Sequence, residues 1–321
     1  MRGTGKISDS FTPQTAGAFM WFRNLQIYRL TDGWQYDVAT LQDKMAAHIF
    51  RGCGASDMQA RGWVPPRGNE GELLISVNQQ WLVCLGVEQK LLPSSVVRLY
   101  AQDRLSELEA QQGFKPGRKQ TMEVTLAVMM ELLPRAFIRR RLTYVWIDPQ
   151  GQWLAIDAGS LAKAEEVIEH LKQSLGELPL IPLNTRLSPA SAMTEWLATG
   201  DAPAGFTIDR DCELRAADEE RATVRYTRHD LEASEIAHHI AAGKSATRLA
   251  LTWQDRISFV LTEQMQLKRL AFLDVLKEES ERQAENADEL FEADFAIMAG
   301  EFAQLLPQLV EALGGEGESN V

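Results

Sequence analysis

The hydrophobic period of this chain changes at residue 94, and that change limits the folds open to it. From Ser94 to Leu133 the apolar residues recur at helical spacing, with Val97, Ala101, Leu105 and Leu108 on one stripe and Met122, Leu126, Met129 and Leu133 on another. Gly113 and Pro116-Gly117 separate the two stripes, so the segment reads as an αα-hairpin with a short basic tip. On either side the period is nearer two. Trp21 to Leu30 reads as a strand through Phe22, Leu25, Ile27 and Leu30. Leu73–Val77 and Trp81–Val87 form one expected hairpin across Asn78-Gln79-Gln80, and Leu142–Ile147 and Trp153–Asp157 form another across Asp148-Pro149-Gln150-Gly151. The fold class expected is α+β, with antiparallel sheets and a projecting helical hairpin.

Further helices are expected from Asp37 to Phe50, with Asp37 as cap and Leu41, Met45 and Ile49 on one face, and after a Ser160 cap, ending at Gly176. Gly52 to Pro66 reads as loop, Leu178 to Leu183 as an edge strand because of its two prolines, and Ala190 to Ala198 as a short helix. Residues 206–272 form a strand-rich unit with one helix, Glu232 to Ala242, and clear strands at Thr247–Trp253, Ile257–Thr262 and Leu267–Phe272. Glu278 to Glu289 reads as an acidic linker before an amphipathic helix, Phe291 to Leu313. Together these divide the 321 residues into an extension outside the fold (1–19), an N-terminal α+β unit (20–93), a helical tip (94–137), central and strand-rich α+β units (138–272), and an acidic linker with its helix (273–321).

The net charge of −12 argues at first against a nucleic-acid ligand, but its distribution matters more than its sum. From Asp274 onward thirteen Asp and Glu face only Lys277 and Arg282, so the acidity is mainly C-terminal. Residues 98–141 hold nine Lys and Arg against five Asp and Glu, and residues 221–269 hold eight against five. Cys53, Cys84 and Cys212 show no CxxC spacing, which fits a reducing cytoplasm, and no apolar run approaches a membrane span of about 18 residues.

The search for catalytic chemistry returns little. Gly243-Lys244-Ser245 resembles the end of a phosphate-binding loop, but His238 stands where the first glycine should be. Glu235, His238 and His239 lack the i, i+4 histidine pair of a helical zinc motif. Asp288, Glu289, Glu292 and Asp294 could be drawn as a two-metal cluster, yet they surround Leu290, Phe291 and Phe295 as a solvated helix face would. Neither cofactor nor metal is expected. The run Arg135, Arg139, Arg140 and Arg141 suits phosphate contact and strand-edge solubility equally well.

Several strings in collinear order decide further. Met20-Trp21-Phe22-Arg23-Asn24-Leu25, Gly62-Trp63-Val64-Pro65-Pro66, Leu132-Leu133-Pro134-Arg135-Ala136-Phe137, Trp146-Ile147-Asp148, Thr194-Glu195-Trp196-Leu197, Ala242-Gly243-Lys244, Leu249-Ala250-Leu251 and Lys268-Arg269-Leu270 resemble the RdgC family in order and spacing from Met20 to Gly315. The resemblance implies a horseshoe-shaped subunit that closes with a second copy into a ring-shaped homodimer around duplex DNA. Such proteins bind double-stranded and single-stranded DNA with little sequence preference, limit RecA-type recombinases in recombination and replication, and lie in the cytoplasm at the nucleoid. No membrane contact and no catalytic residue is implied. The Gly113 to Lys119 tip departs from the family pattern in its Gly and Pro, which implies fewer DNA contacts there, and residues 1–19 have no counterpart.

Combining the resemblance with charge position, the DNA-facing residues expected are Arg228, His229, Lys244 and Arg248, then Lys115, Arg118 and Lys119 at the tip, with Arg139 and Arg140 of the arginine run. Leu133, Phe137 and Ile138 are expected at the subunit contact, the alternative for Phe137 being a place in the core. Two competing readings are a metal-dependent nuclease or helicase accessory, and an adaptor that binds the recombinase rather than DNA.

Overall fold

The central strand of the protein, β1 (Asn24–Leu30), is hydrogen-bonded on both sides and ties two halves of one sheet together. The computed structural model describes residues 21–68, 71–231 and 233–317; the extension expected at residues 1–19 lies outside them. The other strands are β2 (Gln59–Val64), β3 (Leu74–Val77), β4 (Gln80–Leu91), β5 (Phe137–Asp148), β6 (Trp153–Ile156), β7 (Leu180–Pro182), β8 (Phe206–Ala216), β9 (Thr223–Tyr226), β10 (Lys244–Trp253), β11 (Ile257–Thr262) and β12 (Gln266–Phe272). They form one twelve-stranded antiparallel sheet in the order β2-β4-β5-β6-β1-β12-β11-β10-β8-β9, with β3 added to β4 and β7 to β1. The helices are α1 (Val38–Ala46), α2 (Ser94–Gln112), α3 (Arg118–Leu132), α4 (Leu161–Leu175), α5 (Pro189–Thr199), α6 (Ala233–Ala241), α7 (Asp274–Gln283) and α8 (Ala287–Ala312). The class is α+β, as the hydrophobic periods imply.

In the half around β1, β4, β5 and β6 both sheet faces are buried, and successive residues enter different cores. Tyr144 and Trp146 join a core with α5 and α8, while Val145 and Ile147 join a second core with α1 and α4. In the other half only one face is covered. Leu249, Leu251, Trp253, Phe259, Leu261 and Phe272 share a core with α5, α6 and α8, whereas Arg248, Ser258 and Lys268 stand on the opposite face, which no described helix covers. The α2–α3 hairpin has its own small core of Val97, Ala101 and Val128, supported by Leu92, Val124, Met129 and Leu132.

Several expectations are corrected. Gln59–Val64 is a strand rather than loop, and it lies against β4 because Gly62 and Gly86 oppose each other and leave room for Phe50. Helix α1 ends at Ala46, so Ile49 is exposed; Asp37 does cap it, accepting a hydrogen bond from Thr40 N at 2.8 Å. Ser160 precedes α4 but its side chain makes no capping bond. The acidic linker is largely helical: α7 occupies Asp274–Gln283, and α8 starts at Ala287 behind an Asn286 cap. The covered stripe of α3 differs from the expected one, for Met122 and Leu126 are exposed and Val128 is buried. Residues spaced by four mark an apolar face, but a narrow two-helix seam decides which apolar face is covered.

Candidate nucleic-acid interface

Strand pairing builds the uncovered face one row at a time. Thr262, Arg248, Glu213 and Arg225 are successive register partners across β11, β10, β8 and β9, so their side chains share a face. Glu213 is the hub. Arg225 Nε donates to its Oε2 at 3.0 Å, Thr247 Oγ1 to its Oε1 at 2.8 Å, and Arg248 Nε lies 3.9 Å away. Burial alone would raise the Glu213 carboxyl, but the hydrogen bonds from Arg225 and Thr247 and the two guanidinium charges more than offset it, so the group is held below the usual carboxylate range. Beside this row Arg215 donates to both oxygens of Glu263 at 2.6 and 2.7 Å, and Arg269 lies 3.7 Å from Asp211. No ion pair engages Lys268 or Lys244 among the described residues. The face is therefore a lattice of ion pairs carrying exposed guanidinium groups, each with N–H donors left over.

Lys244 is not part of that lattice. It pairs with Ala216, two residues before Ala246 and its core partner Leu214, so it stands on the helix-covered face while Arg248, displaced by a bulge, stands on the open one. Arg228 has a positive φ of 52°, and its backbone N–H donates to Asp211 Oδ1 at 2.7 Å. His229 is exposed beside the Tyr226 ring. At the far tip, Lys115, Arg118 and Lys119 crowd the start of α3. Cations oppose the helix dipole there, and among the described residues the one ion pair of these three is that of Lys119 with Glu123, at 4.0 Å.

The model of the family described as "Putative exonuclease, RdgC" matches residues 20–316. The recombination-associated protein RdgC of Dechloromonas aromatica is 58% identical over 300 residues, covering 92% of this chain and 98% of that protein. That of Herminiimonas arsenicoxydans is 52% identical over 297 residues, covering 92% and 99%. The chain belongs to the RdgC family. The names of these RdgC relatives tie them to recombination without naming an enzyme activity, whereas the family description names an exonuclease.

The carboxylates that an RdgC exonuclease reading would recruit have other tasks here. Asp288 and Glu292 contact Arg67, Glu289 accepts from Glu285 N at 2.8 Å, and the carboxyl of the buried Asp294 is pushed up chiefly by burial. Among the described residues no group of three or more His, Cys, Asp and Glu is placed to hold a metal ion, and no described helix is long and apolar enough to cross a membrane.

The arginine run does not act as one patch. In a strand neighbours alternate faces: Arg139 donates to Gln89 Oε1 at 2.7 Å and Arg141 pairs with Glu166 of α4, while Arg140 lies 5.2 Å over the Phe50 ring on the other side. Of the residues expected at a subunit contact, Leu133 is buried within the chain, but Phe137 is 84% exposed and Ile138 is exposed beside it. Phe137 is thus not in the core of the chain. The outer edge of β5 from Phe137 to Leu142 has no strand partner among the described residues, because β6 pairs only with Val145–Asp148. Met122, Leu126 and Met130 on α3 and Leu99 and Tyr100 on α2 are also exposed; of these, the helical period places Met122 and Leu126 in the hairpin's interior.

Proposed function

We propose that this chain binds duplex DNA through its phosphates, without sequence preference, as a ring-shaped homodimer that restrains RecA-type recombinases. The observation that carries the reading is the separation of charge within the fold. Glu292, Glu301 and Glu279 of the acidic C-terminal helices are tied to Arg67 and Arg256, and α8 lies on the helix-covered face, leaving on the opposite face of β8–β12 an excess of cations, with Arg215, Arg225, Arg248, Lys268 and Arg269 against Glu213, Glu263 and Asp211. A chain of net charge −12 can hold a polyanion only if its cations gather away from its carboxylates, because exposed charges are screened beyond about 8 Å at physiological salt. The basic tip, where Lys115 and Arg118 make no ion pair among the described residues, is the second contact. Sequence preference is expected to be small, since no recognition helix aims side chains at base edges.

The exposed Phe137 and Ile138, at the strand edge that follows the helical hairpin, support closure against a second copy. The unpaired edge of β5 can extend its sheet there, and Phe137 supplies an aromatic anchor. The test is binding of unrelated duplexes of equal length over a salt series. Affinities equal within a factor of two or three, falling linearly in log–log form by about 0.9 per phosphate neutralised, are expected. Magnesium-dependent shortening of the duplex by the same preparation would favour the nuclease reading instead.

A further inference from the structure

Three of the chain's five histidines gather at one cleft. Tyr226 of β9, with Ser234, Glu235, His238 and His239 of α6, lines an open cavity of about 480 Å³. The Tyr226 ring lies 5.6 Å from that of His229 and 6.2 Å from that of His239, and the His238 and His239 rings are 6.0 Å apart. His229 and His238 are exposed, and His229 directs Nδ1 to Asp230 O at 2.8 Å, which leaves Nε2 for a ligand. Among the described residues no ion pair engages these imidazoles, whose contacts there are ring contacts and the one hydrogen bond of His229.

We propose that this cleft is a phosphodiester site whose occupation is linked to protonation, with His229, His238 and His239 donating as imidazolium groups to one backbone phosphate and its neighbour. The inference rests on the DNA-binding reading and deepens it. The surrounding charges set its sign. From the loop before α6, Asp230 is neutralised by Arg210 of β8 at 3.0 Å, and Arg228 is exposed. From α6 comes Glu235. The remaining titratable neighbours stay neutral: burial and then the Glu235 charge push the Tyr226 hydroxyl up, and burial followed by Asp211 pushes the Cys212 thiol up to about 11. Glu235 is thus the one lining carboxylate without an ion pair among the described residues. Around the cleft Arg210 and Arg228 balance Asp230 and Glu235, so protonation of three imidazoles turns a balanced set of charges into one with an excess of cations.

His238 and His239 also stand in the last turn of α6, where the helix dipole favours positive charge. Histidine is the side chain that ordinarily changes charge between pH 5 and 8, so a phosphate bound here takes up protons as it binds. By linkage, affinity for the polyanion must then rise as pH falls through that range.

The test uses the full chain and its H229Q/H238Q/H239Q variant, which keeps hydrogen-bonding side chains but cannot titrate. At fixed salt, wild-type affinity for a short duplex is expected to rise by about tenfold or more between pH 8 and pH 6, with the variant flat and matching wild type at pH 8. A variant that keeps the wild-type pH response overturns the proposal. A second measurement follows the histidine Cε1 proton resonances during pH titration with and without inorganic pyrophosphate. Upward movement of the three midpoints on adding pyrophosphate is expected, and no movement overturns the site even if duplex is bound. If pyrophosphate moves them while no duplex binds at any pH, the anion site stands and the DNA-binding reading falls.

Discussion

Gly62 shows how one missing carbon can set a strand position. A Cβ built there would lie 2.5 Å from Phe50 Cα and N, so the backbone after α1 touches β2 only because position 62 has no side chain. Gly62→Ala is expected to cost about 3 kcal/mol, read as a fall in the denaturation midpoint. Nothing in the residue string indicates that contact; glycine before Trp63 suits a loop as well as a close approach. His170 carries a second consequence at this scale. It is buried in α4 against the rings of Trp63 at 5.1 Å and His48 at 5.9 Å, and burial, more than the neighbouring positive charges, lowers its pKa. Because the folded value lies below the unfolded one of about 6.5, the unfolded chain takes up the proton first, and stability is lost as pH falls below about 6.5. The melting temperature is expected to decline from pH 7 to pH 5.5, and less steeply in His170→Gln.

At the scale of elements, β10 decides which of two neighbouring cations can meet DNA. Lys244 and Arg248 are close in sequence, but the bulge between Ala246 and Arg248 and the alternation of the strand place them on different faces. If the open face of β8–β12 holds the phosphates, Lys268→Glu, which breaks no ion pair among the described residues, is expected to weaken duplex binding by about tenfold and reduce the salt slope by about one. Lys244→Glu then reports separately on the helix-covered edge. Equal affinities for Lys268→Glu and wild type at moderate salt would exclude the open face. The α2–α3 hairpin was legible as two helices because its breaks, Gly113 and Pro116-Gly117, stand where the helices end. Its covered seam was not, because Met122, Leu126, Val124 and Val128 are all apolar and only contact with α2 distinguishes them.

For the whole molecule, the exposed side chain of Phe137 separates assembly from folding. Phe137→Ala is expected to leave the melting curve of the chain unchanged while weakening self-association by about 2 kcal/mol, or roughly 30-fold, seen by sedimentation at matched concentrations. A fall in melting temperature without dissociation would return Phe137 to a purely structural role. What the sequence by itself determined is local: strand and helix periods, the two turns, the Asp37 cap, the hairpin tip and, through strings such as Gly62-Trp63-Val64-Pro65-Pro66, membership of the RdgC family. Only the tertiary structure decided that β1 joins two half-sheets into one, that the acidic end of the chain is a pair of helices held by Arg67 and Arg256 on the covered face, and that three histidines meet beside Tyr226. Periodicity and turn chemistry act over a few residues and survive in the string. Strand order, the face a charge occupies and the meeting of β9 with α6 are settled by burial between segments far apart in sequence, which no local pattern encodes.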